Sequence, residues 1–349
     1  MSKSFLSIVK PSAFRTLLQS STTPTASSSA AGTSTPLQPP QPQQHRTIPI
    51  DATWFMPNSG RNAHAEYEAE RIPHARFFDL DKYSRDSPYP HMLPTQQIMT
   101  QAFRELGIRP GDNLVVYDKV GNFSSPRAAF TLRLFGHDRV YLLDNYVNYK
   151  NYDYPLDLNK PNFEHLENKN DGRDGEAAPV AEVDHGEMSA EQFQENYDRE
   201  VIEYEELENL VDEGEIDQYL VLDARSRERF TGETCEPRPG LSSGHVPTAK
   251  NLPFTKFLDA EQNNQFKTRD RIEAEVKECV GVAELAELKS LYPRGIIVMC
   301  GTGVTACILK LGLENVLKVR ELGVNVRLYD GSWTEWAMRA PDKFIIKDV

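Results

Sequence analysis

Near the C-terminal end of the chain, a cysteine stands between an apolar segment and two glycines, in the stretch IIVMCGTGVTACILKLGL. The run GIIVM predicts a buried strand, and TACILKLGL predicts a helix that begins at Thr305. A loop between a strand and a helix can direct several backbone N–H groups at one point and so bind an anion. Gly301 and Gly303 allow tight curvature, and the helix start places partial positive charge beside the sulfur. The pattern therefore favours Cys300 as a thiolate nucleophile.

A buried structural cysteine is the simplest alternative, because unpaired cysteines are commonly core residues. Packing alone does not require the two flanking glycines, so the nucleophile is the favoured interpretation for Cys300. Cys307 lies inside the apolar helix and Cys279 follows a charged one, and both are expected to be structural. A cysteine phosphatase would need an arginine six residues after its nucleophile to clamp phosphate. Ala306 occupies that position, which argues against phosphatase chemistry.

The order of the predicted elements is repeated in the two halves of the chain. The first half contains IDATWF, RIPHARFFDLD, the helix-like QQIMTQAFRELGI, the strand NLVVYD, SPRAAFTLRLFG and the strand VYLLDN. The second half contains LVLDAR, GHVPTAKNLPFTKFLD, a long polar helical region, GIIVMC, TACILKLGL and NVRLYDGSW. Short apolar strands that alternate with helices predict a parallel sheet covered on both faces. The predicted fold class is therefore α/β, with two tandem domains of this kind.

Composition divides the chain into four segments. Residues 1–47 contain no acidic residue and include a tract rich in Ser, Thr and Pro. We expect them to form a disordered N-terminal segment that is dispensable for catalysis and serves as a mitochondrial presequence, an ordinary disordered tail being the alternative. Residues 48–160 and 188–349 are assigned to the two domains. Residues 161–187, which are polar and turn-rich, are assigned to an acidic linker.

The net charge of −13 is concentrated in one stretch. Between residues 164 and 217, twenty acidic residues stand against three basic ones, a balance of −17, so the rest of the chain carries +4. Because there is no basic stripe, direct binding of nucleic acid is not expected. The sequence has no apolar stretch long enough to span a membrane, and its four cysteines show neither a CxxC pair nor zinc spacing. We therefore expect a soluble intracellular protein with reduced thiols, no metal and no cofactor.

These motifs together resemble those of the two-domain rhodanese family. CGTGVTA is similar to the active loop of the 3-mercaptopyruvate sulfurtransferases, and VRLYDGSWTEW, residues 326–336, is similar to the C-terminal signature of the family. GHVPTAKNLPF resembles its other signature, with Thr248 where glycine is usual. The likeness extends from Ile48 to Trp336 outside the linker and implies two tandem rhodanese-like domains, each a central parallel sheet flanked by helices. Within the family, the N-terminal half and VYLLDNYVNYKNYDYPLD most resemble the fungal thiouridine-modification sulfurtransferases.

The repeat assigns different roles to the two domains. Asp118 takes the place of Cys300 in the first half, so we expect the first domain to be catalytically silent and to close a cleft over the loop of the second. The resemblance places Arg229 and Arg238 at the positions of the two substrate arginines, whose guanidinium groups suit the carboxylate of a keto acid. Solvated surface arginines are the alternative, and that is what we expect of a second pair, Arg225 and Arg227.

The resemblance also implies a proton relay from the first domain. His91 and Asp81 match a pair that exchanges protons with a loop hydroxyl, here Thr302. A purely structural His–Asp pair remains an open alternative. The loop backbone is expected to cradle the bound sulfur through Gly301, Gly303, Val304 and Thr305.

The implied reaction is a sulfur transfer in two steps. Cys300 takes the sulfur of 3-mercaptopyruvate as a persulfide, pyruvate leaves, and an acceptor thiol then removes the outer sulfur. The expected acceptors are a small thiol, thioredoxin or a sulfur-carrier activating protein that feeds tRNA thiolation or molybdenum-cofactor synthesis, in mitochondria and cytoplasm. Two alternatives remain open: a thiosulfate–cyanide sulfurtransferase, and a noncatalytic docking module built from the silent domain and the acidic linker.

Overall fold

The computed structural model describes residues 6–22, 45–160 and 188–349. The acidic linker predicted at residues 161–187 lies outside the described residues, and so does most of the predicted N-terminal segment. The described ranges form two α/β domains, each built on a five-stranded sheet. This arrangement confirms the predicted fold class.

The first domain has a parallel sheet with the strand order β1-β5-β4-β2-β3. Its strands are β1 (Ser7–Val9), β2 (Thr47–Asp51), β3 (Arg76–Phe77), β4 (Asn113–Tyr117) and β5 (Val140–Leu143). Its helices are α1 (Pro11–Thr22), α2 (Ala63–Ala69), α3 (Gln96–Glu105), α4 (Ser125–Leu134) and α5 (Tyr146–Asn151). The central strand β4 is buried at every position because the sheet is covered on both faces, which is why its sequence, NLVVY, is almost wholly apolar.

The second domain repeats this sheet with the order β6-β12-β11-β7-β8. Its strands are β6 (Val201–Ile202), β7 (Tyr219–Asp223), β8 (Lys250–Asn251), β9 (Leu258–Asp259), β10 (Gln265–Phe266), β11 (Gly295–Met299) and β12 (Val326–Tyr329), of which β9 and β10 form a separate antiparallel pair. Its helices are α6 (Ala190–Glu200), α7 (Tyr204–Asp212), α8 (Arg227–Thr231), α9 (Arg269–Val280), α10 (Leu288–Leu291), α11 (Ala306–Leu311) and α12 (Ser332–Arg339). No helix in the described ranges is both long and apolar enough to cross a membrane.

The N-terminal residues correct the prediction that the fold begins near Ile48. Strand β1 pairs in parallel with β5, and α1 packs against α5 and β2 with Phe14 fully buried. The second domain has the same edge, where β6 pairs with β12 and is followed by α7. Residues 6–22 therefore give the first domain an edge strand followed by a helix, as residues 201–212 do for the second domain. This part of the predicted disordered segment is an ordered, structural part of the sheet.

The two domains share one interface, at which α4 packs against α11 and a single apolar cluster continues from one domain into the other. Each of these helices follows the loop that leaves the central strand of its own sheet. Their packing therefore brings both loops against the opposite domain: Gly303 lies beside Arg127 of the first domain, and Gly121 lies beside Asn263 of the second.

Candidate active site

Cys300 directly follows β11 and is recessed, with 2% of its surface exposed. The start of α12 fixes its backbone: the amide of Cys300 donates to Oγ of Ser332 at 3.1 Å, and its carbonyl accepts from the amide of Trp333 at 2.9 Å. Thr334 donates its amide and its hydroxyl to the carbonyl of Gly301, at 3.0 and 2.7 Å. Because β11 and β12 are adjacent parallel strands, α12 begins beside the loop and holds it in place.

The two loop glycines are needed for different reasons. Gly303 has a left-handed φ of +75°, and a Cβ there would lie 2.6 Å from the carbonyl oxygen of Asp330. At Gly301 φ is not left-handed, but a Cβ would approach Nη2 of Arg229 at 3.2 Å. Within the described part of the chain, the amides of residues 301–305 donate no hydrogen bond. These amides are therefore available to a bound anion.

Arg229 is held next to the loop by Glu236. Its Nε and Nη2 donate to the buried Glu236 carboxylate, which also accepts from Nη1 of Arg225 at 2.8 Å. Among the described residues, Nη1 of Arg229 has no hydrogen-bond partner. Glu236 thus orients Arg229 while leaving one of its terminal nitrogens open to a ligand.

Arg225 is not the solvated surface arginine that the sequence led us to expect. It is 2% exposed, donates to Asp223 and to the carbonyl of Gly244 at 2.6 Å, and lies 4.3 Å from the ring centroid of Trp333. A cation this deeply buried needs paired charge. Asp223 and Glu236 supply that charge, which explains why Arg225 lies inside the domain.

Arg238 is half-buried and lies within electrostatic reach of Cys300 and Asp81. Burial and then the neighbouring Arg229 lower the pKa of the Arg238 guanidinium, while Glu236, Cys300 and Asp81 act in the opposite direction. The structure therefore brings the two predicted substrate arginines close to each other and to the loop.

The predicted first-domain pair is present, but the proton relay is not closed. Nδ1 of the buried His91 lies 3.0 Å from Oδ1 of Asp81, which is ion-pair distance when the imidazole is protonated. Trp54 supports both residues, since its Nε1 donates to Asp81 at 3.0 Å and its ring meets His91 edge to face. The nearby His91 ring lowers the pKa of the Asp81 carboxyl, against the effect of burial. Thr302 is half-buried and makes no hydrogen bond to either residue in the described structure.

The loop after β4 has the same position in the first domain, but a carboxylate fills its centre. Asp118 accepts six hydrogen bonds at 2.6–3.1 Å, from the amides of Val120, Gly121, Phe123, Ser124 and Ser125 and from the Ser125 hydroxyl. A side chain of the chain itself therefore occupies the anion position that the loop amides of the second domain leave free.

A model of the rhodanese-like domain matches residues 60–149 and 203–339. The chain belongs to the rhodanese-like family. The thiosulfate sulfurtransferase TUM1 of Saccharomyces cerevisiae is 39% identical over 309 residues, which cover 87% of this chain and 92% of the relative. The 3-mercaptopyruvate sulfurtransferase of Mus musculus is 33% identical, with 86% and 88% covered. The crystal structure of Tum1 from S. cerevisiae matches with a TM-score of 0.74 at 34% identity, covering 98% of both chains.

These relatives confirm the predicted two-domain rhodanese, its likeness to the fungal members and its assignment to sulfur transfer. Three residues that support the candidate site of this rhodanese were not predicted from the sequence: Glu236, Ser332 and Arg127. Glu236 lies two residues before the predicted substrate arginine Arg238, and Ser332 lies inside VRLYDGSWTEW, so the signal for both is proximity to a predicted site. Arg127 had no such signal, because its contacts depend on how the domains pack. In the described ranges no group of three His, Cys, Asp or Glu side chains could hold a metal ion.

Proposed function

We propose that this sulfurtransferase moves sulfur from 3-mercaptopyruvate to a thiol acceptor through a persulfide on Cys300. The observation that carries the proposal is the difference between the two loops. Asp118 satisfies the amides of the first-domain loop, whereas the amides of residues 301–305 remain free beside a cysteine. Preorganised amides of this kind stabilise negative charge that develops on a sulfur attached to Cys300.

In the first step, the Cys300 thiolate attacks the sulfur of the donor. The S–S bond forms as the C–S bond breaks, and its electron pair goes to the methylene carbon, which takes up the proton released by the donor thiol to give pyruvate. Arg229 and Arg238 hold the donor carboxylate. Nδ1 of His91 lies 3.0 Å from Asp81, while Nε2 has no hydrogen-bond partner in the described structure, and we assign the two residues to the transfer of that proton.

In the second step, an acceptor thiolate attacks the outer sulfur and regenerates the Cys300 thiolate. Because Cys300 is 2% exposed, the acceptor must present its thiol on a small molecule or on a projecting segment of a protein. The proposed acceptors are a small thiol, thioredoxin or a sulfur-carrier activating protein that serves tRNA thiolation. Turnover with reduced thioredoxin tests the protein route, and turnover with small thiols alone would contradict it.

Thiosulfate is the second candidate donor, because the yeast relative is named a thiosulfate sulfurtransferase. Thiosulfate is a dianion, and a basic side chain directly after the cysteine would give its sulfonate a charged partner in addition to Arg229 and Arg238. Gly301 and Thr302 are neutral, and this observation favours 3-mercaptopyruvate.

A location in mitochondria and cytoplasm belongs to the same proposal. An Arabidopsis thaliana relative named as mitochondrial is 34% identical, and a sulfur transferase subunit of yeast mitochondrial complex I matches with a TM-score of 0.71 at 30% identity. The acid-free N-terminal segment supports targeting. Because residues 6–22 belong to the first domain, we expect import to leave them attached. N-terminal sequencing of protein isolated from mitochondria would contradict this if the chain began after residue 22.

Intact-mass analysis after incubation with 3-mercaptopyruvate tests the reaction. The wild type should gain the mass of one sulfur atom, and dithiothreitol should remove it. Cys300→Ser should show no adduct and lose turnover by on the order of 10⁴-fold or more, as expected for removal of a nucleophile. Cys235→Ser, at an exposed cysteine, is the matched control and should keep both the adduct and the turnover. An adduct that persists in Cys300→Ser would exclude Cys300 as the sulfur carrier.

A further inference from the structure

Arg127 is a charged side chain of the first domain that is buried against the Cys300 loop of the second. It lies in the first turn of α4 and is 1% exposed. Its Nη2 donates to Oδ1 of Asp330 at 2.5 Å and to the carbonyl of His91 at 2.6 Å, and its Nη1 donates to the carbonyl of Gly303 at 3.3 Å. Burial of a guanidinium is costly unless it is paired and hydrogen-bonded, so these contacts fix its position.

The three contacts join parts of the proposed site that come from different domains. Gly303 belongs to the Cys300 loop, and a Cβ there would lie 3.0 Å from Nη1 of Arg127. His91 has a left-handed φ of 61°, a conformation that is strained for a residue other than glycine. Asp330 also accepts from the amide of Leu93 at 2.8 Å, so the backbone of residues 91–93 is held at two points.

The other side of the interface has a related set of hydrogen bonds, in which the donor is the side-chain amide of Asn122. There, Nδ2 of Asn122 donates to Oδ1 of Asp144 at 2.6 Å and to the carbonyl of Asn264 at 3.0 Å. Asp144 also accepts from the amide of Phe266 at 3.0 Å. Asn264 has a φ of 62°, the same left-handed conformation as His91. Both sides of the interface therefore have a clamp, but they differ: the amide of Asn122 belongs to the first-domain loop itself, whereas the guanidinium of Arg127 reaches the Cys300 loop from the opposite domain.

We propose that Arg127 is a positioning residue for sulfur transfer, which sets the geometry of the Cys300 loop relative to the His91–Asp81 pair. The inference rests on the proposed function, because it assumes that these groups react together. Displacement of reacting groups by about 1 Å can cost on the order of 100-fold in rate. Arg229 makes none of the three contacts of Arg127, so donor binding should be left intact.

Arg127→Lys tests the proposal, because lysine keeps the charge opposite Asp330 but lacks the planar fork that serves several acceptors. We expect kcat, normalised to the amount of Cys300 that reacts with a thiol reagent, to fall by roughly 10- to 100-fold. KM for 3-mercaptopyruvate should change by less than about threefold. The pH midpoint for alkylation of Cys300 by iodoacetamide should also shift. Asn122→Ala is the matched control at the counterpart clamp: its melting temperature should fall, while kcat and the alkylation midpoint should stay at the wild-type values.

Wild-type kcat in Arg127→Lys would overturn the proposal, and so would an equal loss in Asn122→Ala, which would show that both clamps act only by docking the domains. If Arg127→Lys does not fold, the double variant Arg127→Gln with Asp330→Asn removes both charges and is judged by the same criteria. Absence of sulfur transfer in the wild type would contradict the proposed function instead. The alkylation midpoint would then still decide the role of Arg127.

Discussion

In the first domain, the loop after the central strand receives a negative charge from Asp118, whereas in the second domain the equivalent loop begins with Cys300 and keeps its amides free. The two loops follow corresponding strands, β4 and β11, and each contains a left-handed glycine, Gly121 or Gly303. The amides of one loop are therefore satisfied by a side chain of the protein, and the amides of the other are open to a ligand. The backbone of the first-domain loop binds a carboxylate, and the residue that begins each loop decides whether the protein itself supplies that negative charge.

The edges of the two sheets give the largest predicted effect. Strand β1 and helix α1 form the edge of the first domain, as β6 and α7 form the edge of the second. Phe14→Ala should therefore destabilise the protein by about 3–5 kcal/mol, because it removes a fully buried aromatic ring. Urea denaturation measures this loss. Ser12→Ala, at an exposed position of the same helix, should leave stability unchanged. Wild-type stability in Phe14→Ala would restore the view that the N-terminal segment is dispensable.

Substitution of Asp118, at the centre of the first-domain loop, should have the next largest effect. Asp118→Asn removes the charge that accepts the loop hydrogen bonds and replaces one acceptor oxygen by a donor. Hydrogen bonds to charged groups contribute about 1.5–3 kcal/mol each, so we expect a loss of about 2–4 kcal/mol in the free energy of unfolding. Chemical denaturation at pH 7 measures it, and an unchanged midpoint would show that the carboxylate is not needed to satisfy the loop.

The reverse change in the second domain is the matched control. Cys300→Asp places a carboxylate where the free amides lie, and Cys300→Asn places a neutral side chain of the same shape there. The Asp variant should be the more stable by about 1.5–3 kcal/mol. Equal stability would indicate that the amides of residues 301–305 do not converge on an anion.

Most of this comparison could be predicted from the sequence, because it depends on local patterns. GIIVM and NLVVY predicted the central strands, and the position of Asp118 opposite Cys300 followed from aligning them. Thr248 stands where glycine is usual in the signature GHVPTAKNLPF, and its left-handed φ of 63° is a conformation that glycine adopts easily.

Long-range contacts were the part that local patterns could not predict. The strand SIV is three residues long, too short to show a period, and it becomes a strand only because β5 offers a free edge. Arg225 is buried by more distant contacts as well: Asp223 is only two residues away, but Glu236 and the carbonyl of Gly244 lie 11 and 19 residues further along the chain.

The aspartates at the ends of β2 and β7 provide a third contrast. Asp223 is paired with Arg225, whereas Oδ2 of the equivalent Asp51 has no partner in the described structure. Burial raises the pKa of Asp51 to about 6, although Thr53 and Lys119 act against this. Since the folded-state pKa lies above the ordinary value, ionisation opposes folding: the penalty is absent below about pH 4 and complete above about pH 6.

Asp51→Asn should therefore stabilise the protein by up to about 3 kcal/mol at pH 8 and have little effect at pH 4. Asp223→Asn breaks a buried ion pair and should destabilise at pH 8. Denaturant midpoints at the two pH values give both numbers. A loss of stability in Asp51→Asn at pH 8 would mean that the carboxylate is ionised and paired.

The residues next to the two loop centres give the smallest predicted effect, on donor choice. Lys119 follows Asp118 in the first domain, whereas neutral Gly301 and Thr302 follow Cys300. A basic side chain at position 302 would give the thiosulfate sulfonate a charged partner, worth about 1.5–3 kcal/mol, or roughly ten- to a hundredfold in rate. Position 302 is the better site for it, because a side chain at 301 would press against Arg229.

Thr302→Lys should raise the ratio of kcat/KM for thiosulfate over 3-mercaptopyruvate by that factor, and neutral Thr302→Gln should not. A wild type that already prefers thiosulfate would overturn the proposed donor. An unchanged ratio in Thr302→Lys would instead place donor choice at the two substrate arginines, where the carboxylate of the keto acid binds.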